Sequence, residues 1–508
     1  MAQPRAEPPP RGDDVGDRTG SDGWIGALGA ATLVFVGSGA VLVLEILAVR
    51  LLAPYVGLTL ETTTSIIGAV LAGIAGGAAL GGQLADRVDQ RRLLVCLLVL
   101  GGLLALLIVP LVRWLGPGAR GGGDIVAFGL TVIVLVPAAA VLSAITPAVA
   151  RLRLHDLRQS GRIVGGLSAW ATTGAIVGTF GTGFVLVPLL PVSTTVLGVG
   201  LALVLAGIAL GLRTRRLGSA GLAVFALAAG ALGTLTLAVD SPCDKETSYH
   251  CVQVQTDASR PNGRTLLLDD VHHSYVDLDD PTLLGFAYTR WIADAIDAKA
   301  PRHAAVDAVW IGGGGFTLPR WLAATHQGSR SHVLEVDGEM VDLVRERLGL
   351  RLGPDLRVSV GDARMTMRNQ PTSSADVVIG DAFGTYSVPW HLATTEWAEE
   401  VRRVLRPDGL YVLNVIDYPP LGLLRAESRT LLDVFDDVQL IARPGAEGEP
   451  VGGNAVLLAA DEALPRAVAG SNGDGAVTYD RSDVARFAED SERLDDDYAP
   501  TDQLLTLP

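Results

Sequence analysis

Four short runs decide the fold: AVWIGGGGFTLPR at 308–320, HVLEVDGEM at 332–340, VSVGDAR at 358–364 and ADVVIGDAF at 375–383. Each is an apolar, β-prone run that ends in glycine or a carboxylate. In an open α/β sheet, ligands sit in the crevice at the carboxyl ends of the strands, so these four endings should face one crevice. Gly312, Gly313, Gly314 and Gly315 let the backbone approach a ligand where a Cβ would clash. Glu335 stands 20 residues beyond Gly315, the distance at which an acidic side chain reaches ribose hydroxyls. Asp337 shares that strand end, while Asp362 (followed by Ala363) and Asp381 close the next two strands. Together they predict a Rossmann-like domain that binds a nucleoside.

Just upstream, YHCVQVQTD (249–257) and RTLLLDD (264–270) alternate apolar and polar residues around SRPNG, a turn-rich segment suited to a hairpin. This is read as a small β region over 241–280. A helix is expected from about 281 to 298, with Leu283, Phe286, Trp291, Ile292 and Ile296 as its apolar stripe. Strand–helix alternation then continues, giving a doubly wound α/β domain over 281–460. Within it, EWAEEVRRVLRPDG is an amphipathic helix stopped by Pro407 and Gly409, and YVLNVID is the next strand. Residues 461–508 read as an acidic, loop-rich tail.

The first half has another character. The chain has 508 residues, too many for one core, and 49% are hydrophobic, concentrated before residue 240. Residues 1–22 are rich in Pro, Arg, Asp and Gly and read as a disordered tail, with no cleavable signal peptide evident. Over 23–240, seven apolar stretches are each long enough to cross a bilayer, near 25–49, 62–83, 93–112, 124–146, 163–188, 193–212 and 218–239. This makes a multi-span α-helical membrane domain in front of the α/β domain.

Arginine asymmetry orients it. With the N-terminus cytoplasmic, thirteen arginines fall inside, including Arg87, Arg151 and Arg213, against Arg50, Arg113 and Arg120 outside. Seven spans then place the second half outside the cytoplasm. Cys243 and Cys251, eight apart just after the last span, would suit a disulfide in an oxidising compartment. Net charge of −15 argues against a nucleic-acid partner. Gly73, Gly77 and Gly81 share one helical face, as do Gly174 and Gly178, a spacing that allows close helix packing. Glu45 is a carboxylate within the first span, a functional candidate by default, though Arg50 nearby suits an equally good paired role.

A small β region followed by this ladder resembles the aminopropyltransferase family, spermidine synthases in particular, over roughly 246–440. Bacterial spermidine synthase-like proteins fused to a multi-span region resemble it more fully, with 25–240 matching loosely. Methyltransferases that use S-adenosylmethionine share the ladder, but LLLDDVHHSYVDLDDPTLLGFAYTRW is similar to the family's gating segment. The resemblance implies decarboxylated S-adenosylmethionine as cosubstrate, a polyamine acceptor such as putrescine and no permanently bound cofactor, and no metal-ligand spacing is evident, since His272 and His273 are adjacent with no second His/Cys cluster. It also implies a homo-oligomer.

By the same resemblance, Asp381 is the general base and Glu335 holds the ribose hydroxyls, with Asp337 on the same strand end as a further cofactor-binding residue. Asp362 with Ala363 meets the adenine, and Gly312 to Gly314 line the nucleoside and its aminopropyl arm. Tyr288, His273 and Asp270 face the amine, with Asp277, Asp279 and Asp280 adding negative field. The chain departs from the family at three places. Gly315 and Gly384 stand where the family carries aspartates, and His273 where it carries a gate glutamine. Two readings stand beside aminopropyl transfer: an S-adenosylmethionine-dependent methyltransferase, and a non-catalytic polyamine-binding membrane protein coupled to transport.

Overall fold

The structure is a computed structural model that describes residues 26–56, 60–120, 123–154, 160–215, 218–269, 271–384, 388–446, 448–465 and 474–506. The expected tail 1–22 and Asp270 lie outside the described residues.

Among those residues, seven helices are long and apolar enough to cross a membrane by length and composition. Six match the expected stretches: Ala27–Val56, Thr62–Arg87, Gln90–Ala119, Ser160–Leu189, Val192–Arg213 and Ala220–Ala238. The fourth differs. Instead of one helix over 124–146, the chain forms Gly123–Val134, Val136–Ser143 and Ile145–Arg153, and the qualifying stretch is Val136–Arg153. Pro137 explains the first break: it has no N–H to donate and its ring crowds the preceding turn. The glycine faces pack as expected. A Cβ on Gly77 would stand 2.1 Å from the Ala140 carbonyl oxygen, and one on Gly178 would stand 2.7 Å from that of Gly39. Only glycine allows these helix pairs to touch backbone to backbone.

The two halves of the chain meet at one end of the helices. Arg113 Nη1 donates to the Val239 carbonyl at 2.6 Å, and its Nη2 lies 3.4 Å from Glu246. Arg50 donates to the carbonyls of Thr247 and Ser248. Both arginines are ones that the charge asymmetry placed outside. At the other end, Asp86 and Arg151 pair at 2.8 Å. Cys243 and Cys251 form a disulfide beside the contact, while Cys96 is free and exposed.

The second half contains two sheets. The first is antiparallel, in the order β1 (Lys245–Glu246), β2 (Cys251–Thr256), β3 (Gly263–Leu268), β4 (Val271–Asp277). The expected hairpin is β2–β3, paired from Val252 with Leu268 to Thr256 with Arg264. The helix after it starts later than expected, at Ala287, and buries Trp291, Ile292 and Ile296.

The second sheet holds eight strands: β5 (Asp307–Ile311), β6 (Arg330–Glu335), β7 (Leu356–Val360), β8 (Ala375–Gly380), β9 (Leu405–Asp417), β10 (Asp437–Ala442), β11 (Gly453–Ala460) and β12 (Val477–Tyr479). Their spatial order is β12-β10-β11-β9-β8-β5-β6-β7. From β7 to β9 the neighbours run parallel, and β9–β11, β11–β10 and β10–β12 are antiparallel. Alternate residues of each strand enter opposite cores: Ala308 and Trp310 pack into one, Val309 and Ile311 into the other. The chain winds outward from β5 in one direction and from β8 in the other. Strands β5 and β8 therefore flank the switch point, where a parallel sheet opens a crevice.

The segment from 461 belongs to this domain rather than lying beyond it as a tail. It supplies the edge strand β12, and Val484, Phe487 and Leu494 are buried in the core. Its acidic composition hid these few apolar anchors.

Candidate active site

The carboxyl ends of β5, β6 and β8 lie side by side because Ile311 pairs with both Leu334 and Gly380. Above them is a crevice of about 870 Å³. Gly312, Gly313, Gly314 and Glu335 line it, with Asp381 on the β8 side and Asp362 and Ala363 on the β7 side. His273 and Tyr288 complete it from the small sheet and the following helix. Nine of the eleven expected site residues thus converge on one cavity.

The glycine run makes a tight cradle. Gly312 has φ +90°, and a Cβ there would stand 2.4 Å from the Asp381 carbonyl oxygen. Gly313 N–H donates to Glu335 Oε2 at 2.7 Å, and Asp337 N–H donates to Oε1 at 2.9 Å. Glu335 is 5% exposed, and burial pushes its carboxyl above the usual range while these N–H donors pull it back. Each oxygen accepts one backbone bond and keeps a lone pair for a hydroxyl donor.

Asp337 is not in the crevice. It caps the helix Gly338–Arg347 through Met340 N–H at 3.0 Å and accepts from Thr247 Oγ1 at 2.5 Å. The end of β6 at Glu335 accounts for this: two residues on, Asp337 is no longer in the strand and turns back to the first orphan amides of the helix. Asp337, expected among the cofactor-binding residues, instead makes a capping contact. Asp362 also caps its helix, accepting from Arg364 N–H at 2.8 Å, yet its Oδ2 remains at the crevice, 2.9 Å from His391 Nε2. Of the expected acidic field, Asp277 instead holds its own turn, accepting from the N–H groups of Asp279 and Asp280 at 3.0 Å and pairing with Arg260.

Asp381 occupies the centre. Its Oδ1 accepts from Asn414 Nδ2 at 2.8 Å, and its Oδ2 accepts from the Tyr288 hydroxyl at 3.3 Å. Burial raises its carboxyl from an ordinary value to about 6, against the opposing pull of Asn414 and Tyr288. The Tyr288 hydroxyl is itself held well above its usual range, by burial and then by the Asp381 charge. Asn414 is in turn fixed by Asn454 Nδ2, which donates to its Oδ1 at 3.1 Å.

Asn414, Asn454 and His391 were not foreseen. Asn414 carried a signal, as the one amide inside the apolar run YVLNVID; the other two carried none. Gly315 shows why this chain has no aspartate there. A Cβ at 315 would stand 2.9 Å from Ser274 Cβ, and Gly315 N–H already donates to Ser274 Oγ at 2.9 Å.

No family model matches the chain. Over 157 residues it is 27% identical to the polyamine aminopropyltransferase of Vibrio vulnificus, an alignment that covers 30% of this chain and 50% of that protein. A probable spermidine synthase from Corynebacterium glutamicum is 28% identical, with a TM-score of 0.46, over 51% of this chain and 96% of the other. Over part of its length the chain is similar to spermidine synthases. It spans half the length of the curated relative named above. The spermidine synthase of Thermotoga maritima is 18% identical, with a TM-score of 0.34, over 51% of this chain and 81% of that one. Human methyltransferase-like protein 13, solved in complex with SAH, is 18% identical with a TM-score of 0.31, over 43% of this chain and all (100%) of that one. The eight-stranded sheet of the second half, parallel from β7 to β9, is Rossmann-like in its own strand order.

Proposed function

We propose that this protein is an aminopropyltransferase that moves the aminopropyl group of decarboxylated S-adenosylmethionine to putrescine or a related amine. The observation that carries this reading is Asp381, held by Asn414 and Tyr288 at the switch point of the sheet. In the reaction, the acceptor nitrogen attacks the aminopropyl carbon bonded to the sulfonium. The C–S bond breaks, its electron pair stays on sulfur, and 5′-methylthioadenosine leaves as a neutral thioether. The proton shed by the amine passes to Asp381. A carboxylate tuned to about 6 is ionised at neutral pH and more basic than an ordinary one. Glu335 would accept from the ribose hydroxyls, and Asp362 with Ala363 would border the adenine. The glycine cradle excludes side chains where the nucleoside would lie against the backbone.

Mass spectrometry after incubation with putrescine and each nucleoside tests the proposal. Aminopropylated amine is expected from the decarboxylated cosubstrate. Methylated amine formed from S-adenosylmethionine would replace this reading with methyl transfer. The rate should rise with pH through an apparent pKa near 6, because protonated Asp381 cannot accept the amine's proton. A rate that is flat from pH 5 to 8 would remove Asp381 as the base.

We further propose that the helical half spans a membrane with the N-terminus cytoplasmic and the spermidine synthase-like half outside. The arginine-rich helix ends, the Arg50 and Arg113 contacts at the opposite end and the disulfide all support this orientation. It requires the nucleoside to be present outside. A reporter fused after Pro508 should show extracytoplasmic activity, and cytosolic activity would reverse the orientation.

A further inference from the structure

The Asp337 cap connects the crevice to the apolar helices through a continuous line of hydrogen bonds. Arg50 stands near the C-terminal end of the helix Ala27–Val56. Its Nη2 donates to the Thr247 carbonyl at 2.7 Å, and its Nη1 donates to the Ser248 carbonyl. Thr247 Oγ1 donates to Asp337 Oδ2 at 2.5 Å, and Ser248 N–H donates to Glu339 Oε2 at 2.8 Å. Asp337 N–H then donates to Glu335 Oε1, whose partner oxygen takes the Gly313 N–H. Two other apolar helices hold the end of β1 just before that turn, through Arg113 and through Ser193 N–H, both on Glu246.

We propose that Arg50 and Thr247 are positioning residues for the nucleoside site: the first apolar helix, acting through the 247–248 turn, holds the Asp337 cap and thereby aims the Glu335 carboxylate at the ribose. The inference rests on the nucleoside reading of the crevice. Its physical basis is that Asp337 is 1% exposed, so loss of the Thr247 donor leaves a buried oxygen unpaired. Relief requires the backbone at 337 to shift toward another donor, and its N–H then leaves its place on Glu335 Oε1. Two sequence-distant halves are thereby coupled, and the enzyme-like half is not a passenger on its helices.

The test uses the full chain in detergent and calorimetry with 5′-methylthioadenosine. Arg50→Gln and Thr247→Val should each weaken binding about tenfold. The double variant should be no weaker than the worse single, because both break one line of contacts. Thr247→Ser, which keeps the hydroxyl, should bind as the wild type does. In turnover, KM for the nucleoside should rise while kcat holds, a split that general damage to the fold would not produce. Single variants at the wild-type affinity, or losses that multiply in the double variant, would overturn the positioning role while leaving the nucleoside reading intact. A wild-type chain that binds no 5′-methylthioadenosine overturns both.

Discussion

Asp381→Asn abolishes aminopropyl transfer, with an expected loss of about 10²–10⁴-fold, while 5′-methylthioadenosine affinity stays within error of the wild type. The variant separates the proton step from the frame that positions it. Its amide oxygen can still accept from Asn414 Nδ2, and its nitrogen can donate to the Tyr288 oxygen, so both neighbours keep a partner. The missing capacity is acceptance of the amine's proton. Stability moves the other way. Burial lifts the Asp381 carboxyl to about 6, so the folded state holds that proton more tightly than the unfolded chain does. Its contribution to stability is therefore present at low pH and lost as pH rises through about 6. The asparagine variant carries no such penalty, so at pH 8 it should melt at or above the wild-type temperature, with the gap closing below pH 4. Retained transfer by this variant would remove Asp381 from the chemistry.

Gly312→Ala should destroy nucleoside binding and destabilise the domain. Its φ of +90° is strained for any residue with a Cβ, and the added carbon would lie 2.4 Å from the Asp381 carbonyl oxygen. Strain of the first kind costs about 1–2 kcal/mol, and overpacking typically adds about 1–3 kcal/mol. The chain can escape only by moving the glycine run away from β8, which opens the cradle beside Asp381. Gly349 provides the control: its φ is +64°, but nothing lies within 4 Å of a Cβ there. Gly349→Ala should therefore lose a little stability and no affinity. Equal effects of the two substitutions, by thermal melting and calorimetry, would show that the contact with Asp381 is unimportant.

The extent to which the site was legible differs from residue to residue. Gly312 and Glu335 were readable because strand endings are local: apolar alternation stops and a glycine or carboxylate follows. Tyr288 and His273 came from resemblance to a family segment, and both line the crevice. Asp337 was misread because strand end and helix cap fall within three residues, and both favour aspartate. The fourth apolar stretch was drawn as one helix because apolar content reports length while Pro137 controls continuity. The segment 477–494 was set aside on its acidic composition, although three buried side chains suffice to dock it.

By itself, the sequence determined that seven apolar stretches precede an α/β sheet and that glycines and carboxylates close its strands. Those properties are periodic and local, so neighbouring residues state them. The tertiary structure alone decided which polar groups meet. Tyr288 reaches Asp381 across 93 residues, Asn414 across 33, and Arg50 reaches Thr247 across 197. Such contacts depend on the order in which strands are laid side by side and on where the helices dock. Strand order and docking minimise the free energy of the whole chain and leave no mark on any short stretch of it.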